Sequence, residues 1–241
     1  LGLAFCCCLF VAVYSVGVSI YLYYNPIVDI TMDIAVTRMN LFLAFLSIVV
    51  MLIFMIFFFS KSGNESKGYL DNASGVTVLL ELAQYFAENP PENLNVWFLF
   101  TAAEEEGLVG MIRFLDMNKD LDKTNTCFIN LDCVSAAGRL YVTGKKPPQN
   151  NAFNLLDVIK NACRQSEIEC HYYSSVPGIC YDGTVAAFHK YPAVNFSYCK
   201  FFDIMHIHTK KDNETKLDEG SLKNTFKVCK KTVEIMDGVE N

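Results

Sequence analysis

Charge is missing from two long stretches of this 241-residue chain. Residues 1–24 and 41–60 carry no acidic or basic side chain, and each reaches the length of about 20 residues that a membrane-crossing helix needs. The first stretch also lacks a basic start, is too long for the core of a leader peptide and is followed closely by the second, which argues against a cleaved signal. Basic charge is in deficit, with 20 Lys and Arg against 26 Asp and Glu. No basic stripe with interleaved aromatic residues is present, so no nucleic-acid partner is expected. Metal-type cysteine spacing is absent too. Of ten cysteines, Cys6, Cys7 and Cys8 lie in the first apolar stretch, and the other seven are scattered, an odd number that argues against a fully paired disulfide framework. Histidine is scarce, with four in all and none before His171.

What is present divides the chain in two. Residues 1–60 read as a transmembrane hairpin with spans at about 1–24 and 41–60, joined by a loop at 25–40 that carries Asp29, Asp33 and Arg38. This makes the chain an integral membrane protein in contact with lipid, and Lys61 and Lys67 are too small an imbalance to orient it. After a polar stretch at 61–68, residues 61–241 form an α/β domain of alternating helical and strand-like segments, the order that builds a sheet covered by helices. Helices are expected at 76–88, 107–117, 152–164 and 221–236, the last capped by Ser221. Strands are expected at 95–101, 126–131, 140–143, 169–173 and 191–197, with loops around Pro177 and Gly178 and at 206–220.

The residues worth explaining fall at the ends of these strands, where open sheets gather ligands. Asp71 precedes a helix, Glu104 and Glu105 follow the strand NVWFLFT, Asp132 ends the strand TCFINL, and His208 lies in a late loop. So many acidic groups on neighbouring strand ends repel unless a divalent cation holds them. Zinc accepts such a mixture of oxygen and nitrogen donors. Neighbours in an extended chain point opposite ways, so one of Glu104 and Glu105 can bind metal while the other serves as general base. The plain alternative is that Glu104, Glu105 and Glu106 form a solvated acidic turn or the charged start of a helix.

Four segments in order, GYLDNASGVTVLLELA at 68–83, FTAAEEEGLVG at 100–110, FINLDCV at 128–134 and IHTKKDNETKLDEGSL at 207–222, resemble the co-catalytic zinc aminopeptidases. That group also holds glutamate carboxypeptidase and the transferrin receptor ectodomain. The resemblance implies a mixed central sheet sandwiched by helices and an exopeptidase, most simply an aminopeptidase, acting on peptides with two zinc ions. It makes Asp71 the carboxylate bridging both ions, Glu105 and His208 the other ligands of one, Asp132 a ligand of the second and Glu104 the general base that activates the water. It also implies a cis bond after Asp71, and places Asp182 by the substrate pocket or behind the ligands. His206, His171 and His189 are left as non-ligands.

The resembled group has a further histidine ligand upstream of the aspartate motif, and this chain has none there. The expectation is that it lies before Leu1, so that residues 61–241 lack the N-terminal portion of the domain. A glutaminyl cyclase with a single zinc and a non-catalytic membrane receptor on the same fold are the alternative readings. Terminal-residue preference, membrane and oligomeric state are not legible in the sequence.

Overall fold

A computed structural model describes residues 14, 17, 20–21, 30–59, 66–144, 154–173, 180–198, 203 and 205–238. The chain divides into two compact units, Leu1–Gly63 and Asn64–Asn241. In the first unit, helix α1 runs over Ile30–Phe59. This corrects the expected loop at 25–40, most of which is helical: no proline or glycine falls between Pro26 and Gly63, so nothing in the sequence stops the helix. The expected second span at 41–60 falls on α1 for all but its last residue, while the first, at 1–24, lies outside the described residues apart from four positions. Side chains of α1 are described over 38–53, and among the described residues no helix is long and apolar enough to cross a membrane.

Among the described residues, the second unit is built on a four-stranded mixed sheet. Its strands are β1 (Phe128–Leu131), β2 (Leu140–Gly144), β3 (Cys170–Tyr173) and β4 (Ala193–Ser197), in the spatial order β1-β4-β2-β3. β1 runs parallel to β4 and β2 parallel to β3, and β2 and β4 are antiparallel. Every residue of β4 is buried, as a central strand covered on both faces must be.

Helices α2 (Ser74–Glu88), α4 (Leu155–Gln165) and α6 (Glu219–Asp237) cover one face, joining Leu131, Val142 and Phe196 in one core with Val78, Leu82, Phe86, Ile159 and Val228. Val78, Leu82 and Phe86 recur every fourth residue and so share one side of α2. Asn89 closes that helix by hydrogen bonds to the Tyr85 carbonyl, and Pro90 forbids its continuation. Helices α3 (Val109–Met117) and α5 (Asp182–Phe188) contribute Met111, Leu115, Val185 and Ala186 to a second core with Tyr191 and Ala193.

Two expectations need correction, and two further features went unforeseen. Residues 95–101 form no ladder among the described residues, although Phe98 reaches the first core and Leu99 the second, as successive residues of an extended segment do. An apolar run foretells burial, but a strand also needs a partner. Helix α5 was not expected from its sequence, which is short and contains Gly183. The closing helix is capped by Asp218, whose carboxylate accepts the Ser221 N–H, and not by Ser221 itself. Cys163 and Cys170 form a disulfide joining the end of α4 to β3, a local pair that scattered spacing concealed. The expected loop around Pro177 and Gly178 lies outside the described residues.

Candidate metal centre

Asp71 lies in the kinked turn Tyr69–Ala73, between a left-handed Gly68 and the start of α2. The Asp71–Asn72 peptide bond is cis, as the resemblance implied. Asn72 then stitches this turn to the end of β1: its Nδ2 donates to the Leu131 carbonyl at 2.9 Å, and its Oδ1 accepts the N–H groups of Gly75 and Cys133 at 3.0 and 3.3 Å. Gly75 is required by closeness. A Cβ there would run into the Leu131 carbonyl oxygen and lie 2.6 Å from Asn72 Oδ1. Gly75→Ala is therefore expected to cost about 1–3 kcal/mol of stability and to displace the turn, which urea denaturation and a zinc titration together would detect.

Asp132 follows β1 directly, its N–H donating to the Phe196 carbonyl so that the β1–β4 pairing reaches one residue past the strand. Glu104 and Glu105 do not lie in an extended segment. Ala103, with a φ of 57°, reverses the chain, and the N–H groups of Gly107 and Leu108 return to the Glu104 carbonyl in a tight turn. The two carboxylates still diverge. Glu105 reaches His208, whereas Glu104 feels Asp132 more strongly than it feels Glu105. His208 is another left-handed residue, with a φ of 59°, and its Nε2 lies 3.0 Å from Asp71 Oδ2. Non-glycine residues held at such angles cluster at functional sites.

The result is two sets of donors with a shared member. Ligand atoms of Asp71, Glu105 and His208 lie within 4.8 Å of one another, and so do those of Asp71, Asp132 and Cys133. Glu104 belongs to neither set. Its carboxyl is pushed up to about 7 by burial and by Asp132, Glu105, Asp182 and Asp71, and that of Asp132 to about 6, by burial first and then by Asp71. Asp71 is raised by burial and by Glu105, which outweigh His208. For His208, burial pulls downward, but Glu105 and Asp71 overcome it and raise its pKa. Asp182 is 8 % exposed and takes a short hydrogen bond from Thr101, while its Oδ1 has no hydrogen-bond partner among the described residues. His206, His171 and His189 belong to neither donor set.

These shifts set the pH response of the metal-free protein. Groups whose folded pKa lies above the unfolded value stabilise the fold below that value and lose this contribution as pH rises through the folded one. The unfolded values are 4.5 for Glu104 and 3.8 for Asp132, so the contribution falls away between pH about 4 and about 7. A bound cation removes the repulsion, so the rise in Tm on adding zinc should grow from pH 5 to pH 8. Differential scanning fluorimetry reads this, and a zinc shift independent of pH would contradict it.

Residues 56–233 match Peptidase family M28. The chain belongs to that family. A vacuolar membrane protease of Schizosaccharomyces japonicus is 39% identical over 72 residues, 30% of this chain and 8% of that protein. Among solved structures, the Bacillus subtilis zinc aminopeptidase BSAP superposes with a TM-score of 0.59 at 22% identity, covering 73% of this chain and 44% of that one. An Acidobacteriales glutaminyl cyclase gives 0.57 at 18%, covering 72% and 63%. At these identities the structures share the fold. The curated relatives are matched over about a quarter of their length or less.

The sequence pattern alone gives Asp212 no role, though it ends the HTKKD run. It is fully buried and binds the backbone of the Asp71 turn. Cys133 and Thr101 escape sequence reasoning as well. No spacing rule picks out a thiol beside a ligand or a threonine that meets Asp182 from 81 residues away.

Proposed function

We propose that the chain is the catalytic part of a zinc-dependent exopeptidase, an aminopeptidase that removes residues from the N-termini of peptides. The observation that carries this reading is the pair of donor sets sharing Asp71, with Glu104 beside both but part of neither. Carboxylates with one imidazole suit zinc. Asp71, Glu105 and His208 would hold one ion, and Asp71 and Asp132, with Cys133 alongside, the second. Bound zinc lowers the pKa of a water molecule and polarises the scissile carbonyl.

The chain's own groups supply the rest. Glu104 takes the proton of the attacking water and returns it to the departing amine, a cycle for which a carboxyl raised toward neutrality is suited. Asp182, whose buried Oδ1 lacks a hydrogen-bond partner among the described residues, stands near Glu104 and helps to raise its carboxyl. The domain begins near residue 61, carried on a membrane by the apolar segments at 1–24 and 41–60. The second of these lies almost wholly in α1, and a membrane protease is among the proteins similar to this chain.

The test is hydrolysis of aminoacyl anilides and short peptides by the purified, zinc-loaded protein. Release that depends on zinc and on Glu104 supports the proposal, and no release from any of them contradicts it. A glutaminyl cyclase is the second reading, favoured by the likeness to that fold and by the one donor set that contains an imidazole. The products separate the two: release of the N-terminal residue favours the peptidase, and cyclisation of an N-terminal glutamine with loss of ammonia the cyclase.

A further inference from the structure

Asp212 is a carboxylate with no exposed surface, and among the described residues no Lys, Arg or His forms an ion pair with it. Burying such a charge is costly unless hydrogen bonds replace the lost water. Here two backbone donors do so. Oδ1 accepts the Leu70 N–H at 2.6 Å and Oδ2 accepts the Asp71 N–H at 3.2 Å. Its main chain adds two more bonds, with the carbonyl accepting the Lys67 N–H at 3.2 Å and its own N–H donating to the Thr209 carbonyl at 3.0 Å.

Three of these bonds join two segments that are far apart in sequence, and the fourth closes the turn that carries Asp212. One carries Asp71, the donor common to both sets, and the other carries His208 four residues before Asp212. Backbone N–H groups of the Asp71 turn face Asp212 while the Asp71 side chain faces His208, 3.0 Å away. Asp212 thus fixes the turn from behind and sets how the two donors meet.

We infer that Asp212 is a positioning residue of the metal centre, holding the Asp71 turn and the His208 loop in the mutual geometry that a divalent cation requires. This rests on the zinc reading above. Outer partners of metal ligands act in this way, and their loss costs roughly 10–100-fold in metal affinity. An amide in place of the carboxylate keeps the shape but loses the charge and one acceptor.

The test compares the whole protein with Asp212→Asn, using zinc titration against a chromophoric chelator and the visible absorption of the cobalt(II)-loaded protein. The expected result is a loss of zinc affinity of roughly 10–100-fold with an altered cobalt spectrum. A residue that only supported the fold would lower the Tm of the metal-free protein and leave both readings unchanged, and that result overturns the inference. A parent protein that binds no zinc defeats the zinc reading itself, an outcome separate from equal binding by parent and variant. Should the variant not fold, amide exchange in the parent decides. There, protection of the Leu70 and Asp71 amides that rises further when zinc is added supports the inference, and protection that zinc leaves unchanged overturns it.

Discussion

Glu104→Gln should lower the turnover of the zinc-loaded protein by roughly 10²–10⁴-fold, the usual worth of a positioned general base, with zinc content unchanged. The amide has nearly the volume of the carboxyl but cannot take a proton from water. Glu104 stands outside both donor sets, so its replacement leaves the ligand atoms in place. It also removes a group that Asp132, Glu105, Asp182 and Asp71 all repel. The metal-free variant should therefore be at least as stable as the parent at pH 8, where the parent carboxylate is charged. Steady-state kinetics, metal analysis and thermal denaturation of one preparation check all three points. Loss of zinc together with activity would place Glu104 among the ligands.

Asp71→Ala should have the opposite signature. Asp71 is the one residue common to both sets, so removing its carboxylate takes a donor from each and should empty both. Glu105→Ala or Asp132→Ala, which touch one set each, should spare the other. Metal analysis after dialysis against buffered zinc distinguishes these patterns. Equal zinc in Asp71→Ala and the parent would show that the shared carboxylate is not a ligand.

The parts of this site that could be read in the sequence are those where a short segment carries both the chemistry and its placement. Asp71 at the entry to α2, Asp132 directly after β1 and His208 in a late loop were expected, and they meet in space. The divergence of Glu104 and Glu105 was expected for the wrong reason. The left-handed Ala103 and the turn after it separate them, a feature that strand alternation cannot reveal. Asp212 belongs to the resembled histidine motif, but its role was hidden because its partners, Leu70 and Asp71, lie more than 140 residues away and an aspartate in a polar run gives no sign of burial. The fold follows the same division. Helix α2 shows its apolar side as a period, and β4 shows its double burial as an unbroken apolar and small-polar run. Residues 95–101 looked like β4 in sequence, but pairing depends on a neighbour that the segment does not itself specify.

Crystals of the zinc-loaded protein, measured with X-rays on both sides of the zinc absorption edge, test the central claim most directly. An anomalous peak is expected within bonding distance of Asp71, Glu105 and His208 together, with Glu104 beside it and not bound. Zinc bound elsewhere, or three side chains too far apart to share one ion, would contradict the account.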